Sequence, residues 1–379
     1  MSLSVADLRA DIPALSEASY LNWGATGPSP DRVTAAIRDH HRTQEVDAHA
    51  NGNVYPTNMD LFEAARDRAA EFLGAASEEI ALTASTSDGI NRVASALDWS
   101  EGDVVVTTDF EHPAGILPWQ RLARHRDVET RVLSSEQGVI SDAELQRSLD
   151  GAKLLCLSAI DWKFGRKHPV ADIVEKAHEK DVRVLVDAVQ VPGQMPLDVT
   201  DWGADFVATA GHKWLMGPWG AGMLYVDADV ANGLEPAHIG YRGVTEPNGD
   251  EYELKAGAPR FEVGTTNPAT YAGLMAAMDT IEDVGLETVA TEIERLTDRF
   301  KAEVPADRLR SPEAYHTGLV SVSVGDPEGV VDQLAARDIQ IRALPMPETV
   351  RLSFHAFNTA EEVDAAVEAL AETWDSTTR

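Results

Sequence analysis

An aspartate and a lysine near the middle of the chain have the types and the setting of residues that could do chemistry together. Asp187 directly follows the apolar run 184–186, which is typical of a buried strand in a parallel sheet. A carboxylate at the carboxyl end of such a strand points into the crevice where open α/β sheets bind ligands. Lys213 stands between His212 and Trp214, just before a glycine-rich turn, in a chain that has only eight lysines.

Together the two side chains suggest a site for pyridoxal phosphate (PLP). A lysine can hold this cofactor as a Schiff base, and an aspartate can keep the pyridine nitrogen protonated so that the ring accepts electrons. The residues alone leave another interpretation open, in which Asp187 caps a turn at a strand end and Lys213 lies on the surface.

The elements around this pair alternate between short apolar runs and helical patterns as far as Val226. Such alternation predicts an α/β fold with a mostly parallel sheet and helices on both faces. Beyond residue 227 the pattern changes to paired helices and a few strands, which is typical of a smaller α+β unit. We therefore expect a large α/β domain over 18–258 and a small C-terminal domain over 259–379, with residues 1–17 packing on the small one.

A turn rich in small hydroxyl residues, Ser85 to Gly89, stands between a predicted strand and a predicted helix. This arrangement can place a phosphate at a helix N-terminus, where free N–H groups and the helix dipole favour an anion. A turn of this kind is also typical of an ordinary N-cap without any ligand.

The stretch that contains Asp187 and Lys213 resembles the class V aminotransferase family of fold-type I PLP enzymes. This family includes cysteine desulfurases, isopenicillin N epimerase-like proteins and kynureninases. Residues 187–190 match the family's Asp-x-x-Gln, and residues 211–213 match its Gly-His-Lys. Further matching stretches cover nearly the whole chain: 20–27, 111–112, 118–120, 260–265, 351–354 and 357–359.

The resemblance implies catalytic roles for three residues. Lys213 would form the Schiff base, Asp187 would hold the ring nitrogen protonated, and His112 would cover one face of the ring. Gln190 would donate to the ring oxygen. Ala159 stands where many family members carry Asn or His, so Gln190 would hold more of that contact alone.

The resemblance also implies binding residues for the phosphate and the substrate. Those expected to contact the cofactor phosphate are Thr86, Ser87, His212 and, from the partner subunit of a homodimer, Thr265. The expected substrate-binding residues are Arg351, which would bind the α-carboxylate, with Asn22 and Ala25. Ala210 replaces a serine that often precedes the family's Gly-His-Lys, so one hydroxyl contact is absent.

For the reaction, we expect an aminotransferase or an epimerase-like enzyme that acts at the Cα of an amino acid. The alternative is a β-eliminating lyase that cleaves a C–S or C–Se bond. Desulfuration through an enzyme persulfide is not expected, because the short interval 342–349 has no cysteine and the single Cys156 lies in an apolar run. A dinucleotide-binding regulator would require G-x-G-x-x-G after an early strand, and residues 85–89 do not have it.

The formal net charge is −31, from 63 acidic and 32 basic residues, and it limits the kinds of partner that the chain can bind. Such a chain repels nucleic acids and anionic membranes. Because 44% of the residues are hydrophobic, we expect a globular protein adapted to high salt, where screening relieves self-repulsion. An acidic protein from a low-salt environment is the alternative.

Localisation and metal content follow from what the sequence lacks. No run of eighteen apolar residues and no signal-peptide pattern is present, so we expect a cytoplasmic protein. A single cysteine excludes an intrachain disulfide and a multi-cysteine metal site, and we expect no metal.

One loop is basic in this otherwise acidic chain. Lys163, Arg166 and Lys167 fall within five residues of one another. This loop is either solvated or faces an acidic group of the substrate.

Overall fold

The computed structural model describes residues 3–376. The strands in this range are β1 (Ser19–Tyr20), β2 (Ile80–Thr83), β3 (Val104–Thr108), β4 (Glu129–Leu133), β5 (Leu154–Ser158), β6 (Arg183–Asp187), β7 (Phe206–Ala210), β8 (Gly222–Val226), β9 (Leu319–Ser323), β10 (Ile339–Gln340), β11 (Arg342–Ala343) and β12 (Thr349–Ser353).

The α-helices in the same range are α1 (Val5–Ala10), α2 (Ala14–Glu17), α3 (Asp31–Arg42), α4 (His49–Asn51), α5 (Val54–Leu73), α6 (Thr86–Ala96), α7 (Leu117–Arg126), α8 (Asp142–Leu149), α9 (Val170–His178), α10 (Ala228–Ala231), α11 (Pro268–Val284), α12 (Leu286–Glu303), α13 (Pro327–Ala335) and α14 (Ala360–Ser376). Among these helices, none is long and apolar enough to cross a membrane.

A seven-stranded sheet with the order β2-β8-β7-β6-β5-β3-β4 forms the centre of the fold. Strands β3 to β7 are all parallel to one another, and β8 runs antiparallel to both β7 and β2. The register pairs Ser158 with Asp187 and Asp187 with Ala208. The carboxyl ends of β5, β6 and β7 therefore meet at one edge, as the mostly parallel sheet predicted from the sequence requires.

Both faces of this sheet are covered, so its central strands are apolar along their whole length. Alternate residues of a strand point to opposite faces. Val184 and Val186 belong to the core that includes Ala69 of α5, whereas Leu185 belongs to the core that includes Val93 of α6.

A smaller antiparallel sheet with the order β11-β12-β9 lies in the C-terminal part of the chain. Its core includes Phe300 from α12, Leu334 from α13 and Leu370 from α14. The N-terminal residues contact both parts. Strand β1 pairs with β10 and Arg9 forms an ion pair of 2.7 Å with Glu362, whereas Leu8 belongs to the core that includes Val184 of the large sheet. The domain boundary at residue 258 stays a prediction.

The segment around residue 50 differs from the sequence interpretation. The pattern His49 to Pro56 predicts a loop, but α4 begins at His49 and α5 begins at Val54. Pro56 lies in the first turn of α5, where its missing N–H would have no helical partner in any case. That prediction was therefore wrong.

Candidate active site

A cavity of about 650 Å³ opens at the edge of the large sheet where β6 ends. Segments from both halves of the chain contribute side chains to it. Its lining residues are Gly24, Ala25, 84–87, 112–114, Trp162, Asp187, Val189, Gln190, His212, Lys213, Trp219, Gly220, Arg342, Pro345 and Arg351. The predicted cofactor residues therefore come together, with one exception described below.

Lys213 presents a reactive amine to this cavity. Part of its side chain is open to the cavity, yet the protein closely surrounds the amine. Desolvation is the main reason why its pKa falls from the ordinary 10.5 to about 7. The charge of Asp187 raises the pKa, and the charges of Arg351 and Arg342 lower it further. Among the described residues, none accepts a hydrogen bond from Nζ. Near neutral pH a large fraction of this amine is therefore unprotonated and able to act as a nucleophile.

Asp187 ends β6 and is 3% exposed. Its Oδ1 accepts a hydrogen bond of 2.9 Å from the backbone N–H of Val189. Burial raises the pKa of the carboxyl, while that hydrogen bond and the charge of Lys213 lower it. In the described part of the chain Oδ2 accepts no hydrogen bond, so one carboxylate oxygen is free to hold a protonated ring nitrogen.

His112 projects into the cavity as a neutral imidazole. Its Nδ1 accepts a hydrogen bond of 3.2 Å from the N–H of Ala114, so the neutral ring carries its proton on Nε2. Its pKa is lowered to about 4, mainly by burial and further by the positive charges of Lys213, Arg342 and Arg351. Trp162 meets the ring edge-on at 5.6 Å. An uncharged, oriented ring of this kind can lie against a flat cofactor.

The side-chain amide of Gln190 is held in one orientation. The indole N–H of Trp214 donates to Oε1 at 2.8 Å, and Nε2 donates to the carbonyl of Gly24 at 3.0 Å. Because an indole N–H can only donate, Oε1 must face it, and one N–H of the amide remains free. The contact of that N–H with a ring oxygen stays a prediction.

The predicted phosphate end lies at the start of α6. Ser85 caps the helix, since its Oγ accepts a hydrogen bond of 3.1 Å from the N–H of Asp88. The hydroxyl of Thr86 is buried and has no partner, and Ser87 is in the first turn, where backbone N–H groups are free. Nearby, burial lowers the pKa of His212 to about 4. An orphaned hydroxyl at a helix N-terminus fits a phosphate.

Arg351 supplies a buried cation with free hydrogen-bond donors. It is 1% exposed, and its Nη1 donates to the carbonyl of Trp162 at 2.8 Å. Its Nε and Nη2 are buried without a partner, which is costly unless a ligand accepts from them. Burial and then the charge of Arg342 lower its pKa to about 9, so it remains a cation at neutral pH. This geometry suits a carboxylate.

Arg342 is a site residue that the sequence interpretation missed. It lies directly opposite Arg351 in the β11–β12 hairpin and lines the same cavity. Among residues 3–376 its guanidinium has no ion-pair partner. The sequence does have an arginine on each side of the proline-rich turn 344–348. Only the register between the two strands shows that these arginines lie opposite each other.

Two predicted site residues lie outside the lining of this cavity. Thr265 is exposed, and its Oγ1 lies 3.2 Å from the hydroxyl of Tyr241. A single chain does not bring it to the site, and its role in a partner subunit's site stays a prediction. Asn22 makes a β-bridge with Ser353, and its Oδ1 is buried without a partner. Ala25, the third predicted substrate contact beside Arg351, does line the cavity.

The basic loop does not bring its cations to this cavity. Lys163 donates to the carbonyl of Asp109 at 2.7 Å, and Arg166 donates to the carbonyl of Gln137 at 3.4 Å. Lys167 lines separate surface cavities. Only Trp162 of this loop lines the site. The geometry does not support the prediction that the loop meets an acidic substrate group.

Comparison with known proteins identifies the family. Residues 19–366 match the family model described as Aminotransferase class-V. The chain belongs to this family. A probable cysteine desulfurase of Methanothermobacter thermautotrophicus is 32% identical, over 97% of this chain and 97% of that protein.

Solved structures agree with this membership. The apo structure of a cysteine desulfurase from Thermococcus onnurineus NA1 superposes with a TM-score of 0.89 at 30% identity, covering 98% of each chain. The cystine C–S lyase C-DES, in complex with its reaction product cysteine persulfide, gives a TM-score of 0.88 at 28% identity, covering 96% of this chain and 99% of that one. The predicted fold-type I architecture is thereby confirmed.

PLP is the cofactor of this family, and the prediction of PLP is confirmed. In a lysine-to-alanine mutant of C-DES, glycine is covalently linked to the PLP cofactor. The site of the present chain fits this group, because it offers a free amine, a free carboxylate oxygen and an orphaned hydroxyl at a helix N-terminus. The expectation of an aminotransferase is not confirmed at the level of the reaction, since these relatives are named desulfurases or a C–S lyase.

Proposed function

We propose that this class V PLP enzyme is a C–S lyase that cleaves a sulfur-containing amino acid with two carboxylates, such as cystine. The observation that carries the proposal is the β11–β12 hairpin, which places Arg342 opposite Arg351 and has no cysteine in its turn. The names of the relatives, among them a cystine C–S lyase, support the same reaction class.

The two arginines favour a doubly anionic substrate. The unpartnered Nε and Nη2 of Arg351 suit the α-carboxylate of the amino acid that reacts. Arg342 offers a second cation in the same cavity, and no described acidic residue pairs with it. Cystine carries a second carboxylate beyond its disulfide, and cysteine does not. We therefore infer a preference for the disulfide.

The chain's cysteine cannot serve as an acceptor for sulfur. Cys156 lies on β5 with 0% exposure, and burial raises the pKa of its thiol well above the ordinary value. Persulfide formation requires an accessible thiolate. Elimination needs no such group: cystine and water give cysteine persulfide, pyruvate and ammonia, and the C–S electron pair leaves with the persulfide sulfur.

The side chains have separate tasks in this reaction. Arg351 orients the α-carboxylate, and the Lys213 amine removes the proton from Cα, a transfer that its lowered pKa favours. Asp187 would keep the ring nitrogen of the cofactor protonated, and His112 would cover one face of the ring. When bound, PLP supplies an electron sink for the negative charge that develops at Cα.

A product assay tests the proposal. Purified holoenzyme is incubated with cystine, cysteine or an acidic amino acid, and pyruvate, ammonia and persulfide are measured together with keto acids and D-amino acids. We expect equimolar pyruvate and persulfide from cystine, and none from the Lys213→Ala variant. Amino transfer to a keto acid, or inversion at Cα without pyruvate, would instead establish the aminotransferase or epimerase-like reaction.

We further propose that the enzyme is a homodimer, because Thr265 is exposed on a single chain although it belongs to a family motif. Trp219, which lines the cavity, is also 72% exposed. A partner covering these residues would close the site. A monomer mass by light scattering would contradict the proposal.

A further inference from the structure

Glu111 is a buried acid for which the proposed reaction has no task. It directly precedes His112 on the loop after β3 and is 2% exposed. Its Oε1 accepts hydrogen bonds from the N–H of Ser158 at 2.7 Å and from the hydroxyl of Thr108 at 3.0 Å. Its Oε2 lies 2.6 Å from the hydroxyl of Ser158. One carboxyl therefore joins the ends of β3 and β5.

These contacts lie immediately behind Asp187. Ser158 ends β5 and is the register partner of Asp187 at the end of β6. The next residue, Ala159, donates its N–H to the carbonyl of Asp187 at 2.9 Å. Fixing Ser158 therefore fixes the strand end against which the Asp187 backbone is paired. The next residue after Glu111, His112, lines the cavity.

No cation compensates Glu111. Within residues 3–376 it forms no ion pair. The titratable groups that interact with it are Asp187 on β6 and the thiol of Cys156 on β5, with His112 adjacent on its own loop. A buried carboxylate beside a second carboxylate is strongly disfavoured. Burial, and then the charge of Asp187, raise the pKa of Glu111 to about 8, although its hydrogen bonds to Ser158 and Thr108 oppose this.

We propose that Glu111 is a positioning residue: as an uncharged acid bonded to Ser158, it orients the strand end beside Asp187 and keeps a second negative charge away from that carboxylate. In this form Oε2 carries the proton and donates to the Ser158 hydroxyl, while Oε1 accepts from the other two groups. Asp187 then holds the ring nitrogen alone. This inference rests on PLP binding in the cavity and not on which reaction follows.

The first measurement uses the apoenzyme and needs no activity. A folded-state pKa of about 8, above the ordinary 4.5, means that the unfolded chain loses this proton first as the pH rises. The contribution of Glu111 to stability therefore falls between these two pH values and is level above them. Glu111→Gln removes this effect. We expect the difference in Tm between Glu111→Gln and wild type to shift in favour of the variant by several degrees from pH 5 to pH 8. The control Glu101→Gln, at an exposed position, should show a constant difference from wild type.

The second measurement is the absorbance of bound PLP against pH, without substrate. We expect a step near pH 8 in wild type and in Glu101→Gln, and no step in Glu111→Gln. If Glu111→Gln fails to fold, Ser158→Ala takes its place. The Ser158 hydroxyl accepts from the uncharged acid but can rotate to donate to the carboxylate. The bond to the charged form is the stronger one, so the hydroxyl lowers the pKa of Glu111, and its loss should move the step to higher pH. Parallel Tm curves for Glu111→Gln and wild type, a retained step in Glu111→Gln, or an unmoved step in Ser158→Ala would overturn the proposal. None of these readouts depends on the product, so the proposed lyase reaction can fail independently.

Discussion

Burial sets the protonation states of the basic side chains around the cavity. Desolvation lowers the pKa of His112 and His212 to about 4 and that of Lys213 to about 7. Arg351 remains a cation because its pKa, although lowered, is about 9. At neutral pH the cavity thus combines neutral imidazoles and a partly neutral amine with a charged guanidinium. The amine can accept a proton, and the guanidinium can hold a carboxylate.

The first prediction concerns the Lys213 amine in the apoenzyme. Its rate of covalent attachment to PLP should rise with pH and level off above about 7, because only the deprotonated amine is a nucleophile. Stopped-flow absorbance measures this rate. Lys213→Ala should fold and give no borohydride-reducible attachment, whereas Lys176→Ala on α9 should behave as wild type. A rate that continues to rise up to pH 10 would contradict the lowered pKa.

The second prediction concerns the charge of Asp187. Asp187→Asn keeps the size of the side chain but cannot hold a ring proton by charge. We expect Cα proton exchange with solvent to slow by about 10²–10³-fold, the range found when one preorganised electrostatic contact is removed. Exchange of deuterium into the substrate, followed by NMR, measures the step directly. Asp172→Asn, an exposed carboxylate on α9, is the control. An exchange rate close to that of wild type in Asp187→Asn would refute the assigned role.

The third prediction separates the two arginines. Arg351→Gln should weaken the binding of every amino acid substrate, because it removes the hydrogen-bond donors to the α-carboxylate. Arg342→Gln should raise KM for cystine about tenfold or more, since a hydrogen bond to a charged group contributes about 1.5–3 kcal/mol. Its effect on cysteine should be small. Steady-state kinetics with both substrates check this, with Arg124→Gln on α7 as the control. Equal effects of Arg342→Gln on cystine and cysteine would remove Arg342 from the substrate site.

At the scale of elements, the N-terminal segment 22–27 holds the backbone around Lys213. The N–H of Gly27 donates to the carbonyl of His212 at 2.8 Å, and the hydroxyl of Thr26 donates to the same oxygen at 3.0 Å. A Cβ on Gly27 would lie 2.1 Å from the carbonyl oxygen of Lys213. Two distant parts of the chain therefore meet without any space between their backbones.

The fourth prediction follows from this close approach. Gly27→Ala should force the segment away from Lys213 and lower the free energy of unfolding by about 1–3 kcal/mol, the usual cost of an extra methyl group in a tightly packed site. PLP should also dissociate faster. Gly233→Ala, where the added Cβ would meet only a carbonyl at 3.6 Å, is the matched control. Denaturant unfolding and the decay of cofactor absorbance measure the two effects. A Gly27→Ala variant as stable as the control would show that the segment adapts freely.

The sequence identified those site residues whose signal is local. Asp187 follows its own apolar strand and Lys213 precedes its own glycine-rich turn, so the local pattern was enough to propose both as site residues. The turn 85–89 likewise revealed the start of α6. Arg342 could not be found in this way, because its position depends on the register between β11 and β12. The environment of Glu111 depends on burial between strands that are distant in the sequence.

The basic loop shows a local signal that could not be resolved from the sequence. Its cations are unusual in so acidic a chain, and composition alone left open whether they face the substrate or the solvent. In the fold, the antiparallel bridge between Ile160 and Lys167 closes the loop on itself. Trp162 points inward, and Lys163 bonds to a backbone carbonyl. Composition reveals an unusual segment, but only the path of the backbone decides which side chains reach the cavity.

At the scale of the whole molecule, the excess of negative charge is the dominant feature. The net charge of −31 is spread over a surface on which ion pairs such as Arg299–Asp364 and Arg337–Glu372 are also exposed. Exposed pairs contribute only about 0–1 kcal/mol each. Their loss in salt is therefore small compared with the repulsion among the unpaired carboxylates, which salt relieves.

The last prediction tests this balance. The Debye length falls from about 10 Å at 0.1 M salt to about 3 Å at 1 M, so the repulsion among the excess carboxylates should be largely screened at molar KCl. We expect the Tm to rise steadily from 0.1 M to 2 M KCl, by more than it rises for a protein of balanced charge. The double variant Asp250→Asn/Glu251→Gln removes two exposed negative charges from a connecting segment and should flatten the dependence while raising the Tm at low salt. Thermal scans of both proteins across the KCl series measure these slopes. A Tm that falls with KCl would mean that attractive pairs outweigh the repulsion, and the adaptation to high salt that we propose would then be wrong.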